Sequence, residues 1–524
     1  MEVIAVVDAG TSSLRASLLN RDGAVIHTAQ REYTPQFLPN GNVVQEAETW
    51  RTALFAALRE AQASTENSGV TVTAISVTSQ RASIIPVGSK GEPLCPAIMW
   101  QDKRSVTECA YIEQELSAPE IYRRTGLRVD PYFSAAKILW LERNEPSIRR
   151  AAVRLIGVQD WIAWLLTGRY VTDSTQACRT MLMDVRTRRW DPDLLSVVGV
   201  RESELPEIVE PGTIVGGLTQ EAAAIAGLRA GIPVVLAGGD QQNAALALDV
   251  FESGSAEANT GTGSFLIAYS PRPAFDPQMR TLCSCGAVPG TWVIEAGLLT
   301  TGIVYSWAKS QFYREATDQD AIEMMNREAE ASPAGSNGLF VLPHFKGAAA
   351  PRWNPLATGL FAGVRMDTVR GDFARAILEG IAMELGENLA VIETLTGRIN
   401  AVSVAGGLVR SDLFNRIQAG CFGRPVRRYR NSEASTLGAL MNAGVALGHY
   451  PSFRDAFTVV RGEEPTLFEP DEQTATVYRK LKMRVNLIYE AMSRLGVYEE
   501  LAKPLDSESR TLDRYPGTDA TIHQ

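Results

Sequence analysis

Two short turns that combine glycine with hydroxyl side chains are the first candidates for chemistry in this sequence. Asp8–Ser13 (DAGTSS) follows the apolar run Val3–Val7, and Asn259–Gly263 (NTGTG) precedes another apolar run. Backbone N–H groups and hydroxyls in such turns can cradle phosphate oxygens. The Asp8 carboxylate could hold Mg²⁺ directly or through water. No lysine follows the glycine of the first turn, so it is not a Walker loop. The alternative for each turn is an ordinary β-hairpin.

A glycine pair and two charged residues also follow predicted strands. Gly406–Gly407 comes after Ala401–Ala405 and would let a flat adenine lie against the backbone, with a plain strand-to-helix turn as the alternative. Asp240 follows the strand Val234–Ala237. Facing a cleft, its carboxylate could accept a proton from an attacking hydroxyl, or it could cap the helix that follows. Arg81 could donate to several substrate hydroxyls or form a surface salt bridge.

The elements that position these residues follow a similar plan in the two halves of the chain. The first thirty residues predict three strands joined by turns, unlike a dinucleotide-binding fold, in which the first strand runs directly into a helix. A helix is predicted over Thr49–Ala63 and a buried strand over Val72–Val77. Ligands of open α/β sheets bind at the carboxyl ends of strands, where a cleft between two domains would form. We therefore predict domains at 1–245 and 246–495 and a polar tail at 496–524, which we expect to be loose beyond about Pro504.

Length and composition limit the possible classes of protein. A chain of 524 residues exceeds one ordinary core, and 45% hydrophobic with 21% charged residues is typical of globular proteins. The formal net charge of -9 argues against nucleic acid as the main partner. Six cysteines are too few for a disulfide scaffold, and Cys283 and Cys285 with only four histidines in the chain make a poor zinc signature.

The chain shows no targeting or spanning segment. No basic stretch followed by a long apolar stretch opens it, so we expect no signal peptide. No uninterrupted apolar segment reaches the length needed to cross a bilayer. We therefore expect a cytoplasmic protein with no membrane partner.

From about residue 3 to residue 450 the order of segments resembles the FGGY carbohydrate kinases. The resemblance is carried by VVDAGTSSLRASLL, VTSQRASIIPV, AIMWQDKRS, DPYFSAAKILWL, GGDQQNAAL, NTGTGSFLI, GLFAGVRMDTVRGDFARAILEGIA, AGGLVRSDLFNRIQAGCFGRPV and EASTLGALMNAG. It implies an α/β, two-domain actin-like ATPase (ribonuclease H-like) fold with a cleft between the domains. It also implies ATP-dependent phosphorylation of a hydroxyl of a sugar or polyol, with ATP and Mg²⁺ as cofactors.

The resemblance assigns a role to each matching residue. Asp240 becomes the catalytic base, and Asp8 and Asp240 the metal ligands. The implied substrate contacts are Arg81, Trp100, Asp102, Tyr132, Asp240, Gln241 and Phe265. The implied nucleotide contacts are Gly10, Thr11, Ser12, Arg15, Gly261, Thr262, Gly263, Gly302, Gly406, Gly407 and Ser411, of which Gly302 matches only in outline.

One position departs from the glycerol kinases, which otherwise match this chain most closely. They carry a glutamate after the arginine, expected to bind two glycerol hydroxyls, where this chain has Ala82. Losing such a charge-assisted contact removes about 1.5–3 kcal/mol, and alanine leaves room, so a ketose or a four- to six-carbon polyol is favoured. Asp102 resembles an aspartate of the pentulose kinases and could supply the missing carboxylate. Glycerol kinase and, from the helix pattern Thr476–Leu495, autoinducer-2 kinase are the alternatives within the family.

Two other classes stay open outside this interpretation. One is an actin-like ATPase without a sugar substrate, such as a chaperone or filament protein. The substrate-side segments SQRAS, MWQD and DPYFS argue against it, because such a protein binds no sugar. A binding-only relative would have no need of intact Asp8 and Asp240. Because relatives are often oligomeric, a homodimer or homotetramer is possible.

Overall fold

The computed structural model describes residues 1–66, 68–430, 433–462 and 464–503 and has an α/β architecture. Its strands are β1 (Glu2–Ala9), β2 (Ser13–Leu19), β3 (Val25–Glu32), β4 (Gln36–Phe37), β5 (Val43–Gln45), β6 (Thr71–Ser79), β7 (Ile85–Val87), β8 (Ala97–Ile98), β9 (Arg154–Ile156), β10 (Val171–Asp173), β11 (Met183–Asp184), β12 (Arg189–Trp190), β13 (Glu207–Val209), β14 (Thr213–Gly217), β15 (Pro233–Gly239), β16 (Ser255–Thr260), β17 (Ser264–Ser270), β18 (Leu282–Cys285), β19 (Trp292–Leu298), β20 (Phe340–Leu342), β21 (Leu360–Ala362), β22 (Ala401–Ala405), β23 (Val426–Arg428) and β24 (Thr466–Phe468).

Helices connect and cover these strands. They are α1 (Ala47–Ala63), α2 (Val106–Glu115), α3 (Ala118–Thr125), α4 (Ser134–Asn144), α5 (Pro146–Ala151), α6 (Val158–Thr167), α7 (Ser174–Ala177), α8 (Pro192–Val198), α9 (Gln220–Ala226), α10 (Asp240–Ala247), α11 (Gly302–Phe312), α12 (Asp318–Ala331), α13 (Arg370–Thr396), α14 (Asp412–Phe422), α15 (Ala434–Ala446), α16 (Phe453–Arg461), α17 (Glu472–Arg494) and α18 (Val497–Leu501).

The first large sheet has the strand order β14–β15–β6–β1–β2–β3. β1, β2 and β3 form an antiparallel meander, whereas β1, β6 and β15 run parallel. The predicted three-strand opening is therefore confirmed. Val3–Val7 of β1 are all buried, because elements packed on both faces of the sheet bury both sets of alternating side chains.

The second large sheet repeats this plan. Its order is β18–β19–β17–β16–β22–β23–β24. β16, β17 and β19 form a meander, and β22 and β23 continue in parallel from β16. The run β3–β2–β1–β6–β15 thus corresponds to β19–β17–β16–β22–β23. Both halves end their central strands in glycine-rich turns, as the sequence predicted.

Helix α15 joins the two halves although it comes late in the chain. Its Leu437 and Leu440 share a buried cluster with Val6 of β1 and Val235 of β15. One face of the first sheet is therefore covered by a helix of the second half. The boundary predicted at residue 245 lies inside α10, which covers the same face, and it stays a prediction.

A mainly helical part is inserted between β8 and β14. It has a core of its own that includes Ile112, Ile121, Leu139 and Leu195. Helix α4 belongs to this core and carries Tyr132 just before its start. This part therefore sets one wall of the site described below.

The first residues of the predicted polar tail form a short helix. The tail predicted from residue 496 begins with α18, whose Tyr498 is fully buried, with its ring 5.6 Å from that of Tyr489. Residues 504–524 of the predicted tail lie outside the described residues. Within the described ranges, no helix combines the length and the apolar character that crossing a membrane requires.

Candidate active site

The turn between β1 and β2 carries the first predicted phosphate loop. The Gly10 N–H donates to the Ser13 carbonyl at 2.9 Å, and the Gly10 carbonyl accepts from the Tyr33 hydroxyl at 2.9 Å. The turn is thus a tight hairpin, and its first N–H is already engaged. The N–H groups of Thr11 and Ser12 are the donors that this turn can offer to an anion.

The turn between β16 and β17 carries the second predicted loop. The Gly261 N–H donates to the Gly263 carbonyl at 2.8 Å, and the Gly302 N–H donates to the Gly261 carbonyl at 3.0 Å. A Cβ added at Gly302 would lie 2.4 Å from that same oxygen, so a larger residue would not fit. Helix α11 therefore starts directly against the turn, with the positive end of its dipole beside Thr262.

The third glycine turn, after β22, meets the second one. Gly406 has φ 98°, and a Cβ there would lie 2.2 Å from the Thr260 carbonyl oxygen. Only glycine allows both this conformation and this close approach. At Gly407 an added Cβ would meet nothing within 4 Å, so its backbone borders open space. Ser411 accepts from the Phe414 N–H and caps α14.

These turns border one cleft of about 750 Å³ between the halves. The size suits a nucleotide. The predicted residues on its wall are Asp8, Gly10, Arg15, Asp240, Gln241, Gly406 and Gly407, with Asn259, Arg410 and Arg428 beside them. Among the described residues, Thr11, Ser12, Gly261–Gly263, Gly302 and Ser411 are not on that wall but adjoin it through the chain or the hydrogen bonds given above.

Asp240 occupies the point where β15 passes into α10. It is the first residue of the helix, and its Oδ1 accepts from the Gln241 N–H at 2.7 Å. Its side chain is 26% exposed, and Arg81 Nε lies 3.8 Å from Oδ1. Partial burial raises the pKa of Asp240 above its ordinary value, and Arg81 opposes the rise. A carboxylate of raised basicity that opens on a cleft can act as a general base.

Asp8 lies at the end of β1 and faces the same cleft. The Ser435 hydroxyl of α15 donates to its Oδ2 at 2.8 Å. Burial and the nearby negative charge of Asp240 raise the pKa of Asp8 to about 6. One oxygen of each aspartate accepts a protein hydrogen bond, which leaves the other for a cation. Two hard oxygen donors that repel each other are suited to Mg²⁺.

The aromatic residues predicted to contact the substrate lie near Thr11 and Arg81. The rings of Trp100 and Tyr132 lie 5.3 Å apart. Trp100 Nε1 donates to Thr11 Oγ1 at 3.0 Å, which ties Trp100 to the first glycine turn. The buried Gln241 Oε1 accepts from no group in the described part of the chain. Arg81 is buried, so the alternative of a surface salt bridge is wrong.

Asp102 is held differently from the other predicted substrate contacts. Its carboxylate accepts from the N–H groups of Val43 and Arg104 at 2.6 and 2.9 Å, and from Arg104 Nε and Nη2 at 2.9 and 2.8 Å. The residue is 1% exposed. Four hydrogen bonds leave little capacity for a ligand, so this geometry favours a structural role.

Phe265 and Ala82 are the two other positions that the sequence analysis relates to the substrate. Phe265 of β17 keeps 36% of its surface exposed. Ala82 is buried with φ 66°, and its carbonyl accepts from the Ser134 hydroxyl at 3.2 Å. A residue of positive φ other than glycine is uncommon and marks a constrained site.

Some residues beside the site escaped sequence reasoning. Glu295 and Arg179 form a buried ion pair next to Arg81. Arg15 Nη1 pairs with Glu433 at 2.7 Å, and Ser435 holds Asp8. A glutamate inside the apolar strand WVIEAGL was the one local signal. The partners of Arg15 and Asp8 lie more than 400 positions away, where no local pattern can find them.

Comparison with family models covers most of the chain. A model described as the FGGY family of carbohydrate kinases, N-terminal domain, matches residues 3–247. The C-terminal domain model of the same family matches residues 256–447.

Curated relatives and solved structures agree with these matches. The glycerol kinase of Bordetella parapertussis is 33% identical over 490 residues, which cover 90% of this chain and 93% of that protein. The glycerol kinase of Thermus brockianus is 33% identical over 463 residues, covering 86% and 90%.

Among solved structures, ligand-bound xylulose kinase from Lactobacillus acidophilus matches with a TM-score of 0.88 and 25% identity over 96% of this chain and 100% of that one. The gluconate kinase from the same organism gives the same values. Plasmodium falciparum glycerol kinase with ADP, at 24% identity and a TM-score of 0.86 over 94% and 98%, shares the fold.

Proposed function

We propose a substrate class, a catalytic base and a metal site for this chain, which belongs to the FGGY family of carbohydrate kinases. It is an ATP-dependent phosphotransferase that acts on a hydroxyl of a sugar or polyol. The observation that carries the further assignment is the position of Asp240. Its partly exposed carboxylate lines the nucleotide-sized cleft and lies 3.8 Å from Nε of Arg81, one of the predicted substrate contacts.

In the proposed mechanism, Asp240 takes the proton of the attacking hydroxyl as the γ-phosphoryl group is transferred. Arg81 and the free Gln241 Oε1 orient the substrate hydroxyls. The N–H groups of Thr11 and Ser12 in the first turn, and the second turn opposite, stabilise the phosphate oxygens. Catalysis is then mainly positioning and electrostatics, with domain closure excluding water.

Mg²⁺ is the proposed metal, held by Asp8 and Asp240. Within the described ranges, no cluster of three or more Asp, Glu, His or Cys side chains could bind an ion alone. The remaining ligands would be ATP phosphates and water, which is how Mg²⁺ usually binds in kinases. When bound, the ion supplies positive charge to the phosphates of ATP.

The proposed substrate is a ketose or a four- to six-carbon polyol. Ala82 supports this choice, because it lacks the carboxylate that the resemblance assigns to glycerol binding and its methyl group is smaller than a glutamate side chain. Asp102 supports it less, because its carboxylate is already saturated by Val43 and Arg104. Glycerol is the second candidate, since curated relatives at 33% identity are glycerol kinases.

Two further proposals concern the cellular compartment and the oligomeric state of the enzyme. Reliance on ATP, together with six unpaired cysteines that all lie in the described residues, favours the cytoplasm. A homodimer or homotetramer remains our proposal for its assembly, and size-exclusion chromatography with light scattering measures it.

The test is ADP release over a panel of glycerol, erythritol, xylitol, D-xylulose, D-ribulose, D-gluconate and dihydroxypentanedione. We expect one four- to six-carbon compound to give the highest kcat/KM, and Asp240→Asn to lose about 10²–10⁴-fold in kcat. Glycerol as the best substrate would contradict the reading of Ala82. ATP hydrolysis indifferent to every compound would favour an actin-like ATPase, and full activity of Asp240→Asn would remove Asp240 as the base.

A further inference from the structure

The first glycine turn is fixed to the core of the first half by residues that face no ligand. The Tyr33 hydroxyl donates to the Gly10 carbonyl at 2.9 Å, and the Tyr33 N–H donates to the Ser12 carbonyl at 2.9 Å. Trp50, which is fully buried, donates from Nε1 to the Tyr33 hydroxyl at 3.1 Å. With the β1–β2 pairing, these bonds hold the backbone of the turn whether or not the cleft is filled.

A further bond to the turn comes from a predicted substrate contact. Trp100 Nε1 donates to Thr11 Oγ1 at 3.0 Å. The Trp100 ring lies 5.3 Å from the ring of Tyr132, and both residues are partly exposed. An indole N–H only donates, so this bond uses a lone pair of the Thr11 hydroxyl and leaves the hydroxyl proton for another acceptor. A phosphate oxygen bound at the turn is such an acceptor.

The Trp100 backbone is tied to the same turn by a second route. Its N–H donates to Ser83 Oγ at 3.1 Å, and the Ser83 hydroxyl donates to Gln80 Oε1 at 3.4 Å. Gln80 Nε2 donates to the Gly10 carbonyl at 3.3 Å. Since Gly10 and Thr11 are consecutive, these bonds close a ring. Ser83 and Gln80 are 2% and 3% exposed, so water does not compete for the two longer bonds.

We propose that Trp100 transmits substrate binding to the nucleotide through its bond to Thr11. A sugar or polyol against the Trp100 ring fixes the indole, and the indole fixes the Thr11 hydroxyl with its proton free for a nucleotide phosphate. The inference rests on the proposed function, because it takes Trp100 as a substrate contact and the turn as a nucleotide contact. Ser83 and Gln80 act as positioning residues that keep Trp100 in place.

The expected consequence is positive cooperativity between the two ligands. Because coupling between binding sites is reciprocal, the sugar or polyol raises the affinity for MgATP by the same factor as MgATP raises the affinity for the sugar or polyol. The Trp100 bond is not needed to form the turn, since Tyr33 and the β1–β2 pairing already hold it. Its loss should therefore reduce cooperativity and leave the fold intact.

The main test is Trp100→Phe in the full chain, which keeps an aromatic ring and removes the indole N–H. Isothermal titration calorimetry measures the Kd of a non-hydrolysable ATP analogue with Mg²⁺, with and without the compound of highest kcat/KM in the panel above. In the wild type we expect the compound to lower this Kd by about tenfold. In Trp100→Phe we expect the ratio of the two Kd values to fall by about threefold or more.

Thr11 provides the other side of the same bond. Thr11→Val removes the hydroxyl and should reduce the ratio of the Kd values as much as Trp100→Phe does. Thr11→Ser keeps the hydroxyl and should retain most of the cooperativity, which a general loss of stability would not explain. The double variant Trp100→Phe with Thr11→Val should lose no more than either single variant, because both changes remove one bond.

A variant within the ring separates positioning from direct contact with a ligand. Ser83 is buried and is not a predicted contact of either ligand. Ser83→Ala removes the group that receives the Trp100 N–H, so we expect it to reduce the ratio of the Kd values in part.

Trp161→Phe is the matched control. It makes the same chemical change in the same half of the chain, since Trp161 Nε1 donates to the Ala47 carbonyl at 3.2 Å. Trp161 does not line the cleft. The variant should lose some stability and leave the ratio of the two Kd values unchanged.

The outcomes that would overturn the proposal are distinct. A wild type that binds the analogue equally well with and without the compound would overturn it. So would an unchanged ratio in both Trp100→Phe and Thr11→Val, additive losses in the double variant, or an equal loss in Trp161→Phe. If Trp100→Phe fails to fold, Thr11→Val and Thr11→Ser decide, because Thr11 lies in a partly exposed turn.

Failure of the proposed function would look different. Inactivity of the wild type on every compound would count against the proposed substrate class. The double-variant comparison would then use the Kd of the analogue alone. Losses of affinity that are not additive would still support the action of Trp100 on the nucleotide through Thr11, and additive losses would overturn it.

Discussion

At the scale of single residues, the site depends on acids that the fold keeps close together. Asp8 and Asp240 end parallel strands of one sheet, and each raises the cost of charging the other. Ser435 relieves only part of that cost by donating to Asp8. This repulsion is consistent with the proposal that the pair holds a cation.

The first prediction follows from the raised pKa of Asp8. Because the pKa rises from 3.8 to about 6 on folding, the folded protein holds this proton more tightly than the unfolded chain. The free energy of unfolding should therefore fall as pH rises through that interval. In urea unfolding, we expect the free energy of unfolding of Asp8→Asn to exceed that of the wild type by about 1–3 kcal/mol near pH 8. Near pH 4 we expect no difference in favour of the variant.

Magnesium supplies the control for this prediction. If Asp8 and Asp240 hold the ion, millimolar Mg²⁺ should stabilise the wild type. The difference in free energy of unfolding between Asp8→Asn and the wild type should then become smaller. A variant that is less stable than wild type at both pH values would show that the Asp8 carboxylate is a net stabilising group.

The second prediction concerns Ala82, the departure from glycerol kinases. Ala82→Glu should restore a carboxylate beside Arg81 and lower KM for glycerol by about tenfold or more. The same change should weaken binding of the preferred larger substrate, because the glutamate side chain would occupy part of the space that this substrate needs. Ala82→Gln is the matched control for volume without charge. If Ala82→Glu and Ala82→Gln have the same KM for glycerol, the missing charge does not determine substrate specificity.

At the scale of elements, the packing of α15 against α10 positions Asp240, the proposed base. α10 begins with Asp240 and α15 carries Ser435 near its start. The two helices approach closely at Gly438, where an added Cβ would lie 1.9 Å from the Asn243 carbonyl oxygen. Asn442 Nδ2 donates to the Ala237 carbonyl at 3.0 Å and ties α15 to β15.

The third prediction is that Gly438→Ala destabilises the protein and slows catalysis together. The added methyl group has to push the helices apart, which costs about 1–3 kcal/mol and displaces Asp240 from the cleft. Thermal unfolding and kcat measure the two effects. Gly386→Ala in α13, where the nearest atom would be 3.3 Å away, is the control and should cost less stability than Gly438→Ala. Loss of stability with normal kcat would show that α15 does not position the base.

At the scale of the whole molecule, the cleft is completed by parts distant in the chain. Its wall combines β1 and α10 of the first half with β22 and α15 of the second. Arg15 and Glu433 bridge the two sides at 2.7 Å, although both are partly exposed and the pair contributes little by itself. Nucleotide binding should therefore affect both halves of the chain.

The fourth prediction uses hydrogen exchange to test whether both halves of the chain contact the nucleotide. A non-hydrolysable ATP analogue with Mg²⁺ should slow exchange in the turn 9–13 as well as in 260–263 and 405–411, because all three border one ligand. The segment 202–208, none of whose residues lines this cleft, is the internal control and should exchange at an unchanged rate. Protection confined to the second half would show that the first turn does not touch the nucleotide.

The sequence alone determined the local part of this protein. Apolar runs and glycine turns predicted the strands β1–β3, β6, β15, β17 and β22, and the motifs VVDAGTSSLRASLL and GGDQQNAAL predicted the family and its kinase activity. These features depend on neighbours in the chain, since backbone propensity and turn chemistry act over a few residues.

Only the tertiary structure decided what depends on distant partners. It saturated Asp102 with Val43 and Arg104, placed Gly302 against Gly261, and brought Glu295 to Arg81 and Ser435 to Asp8. The strength of a carboxylate as base or ligand depends on burial and on charges within a few ångströms. Those charges and hydrogen-bond donors come from positions up to 427 residues apart in the chain, and folding alone brings them together.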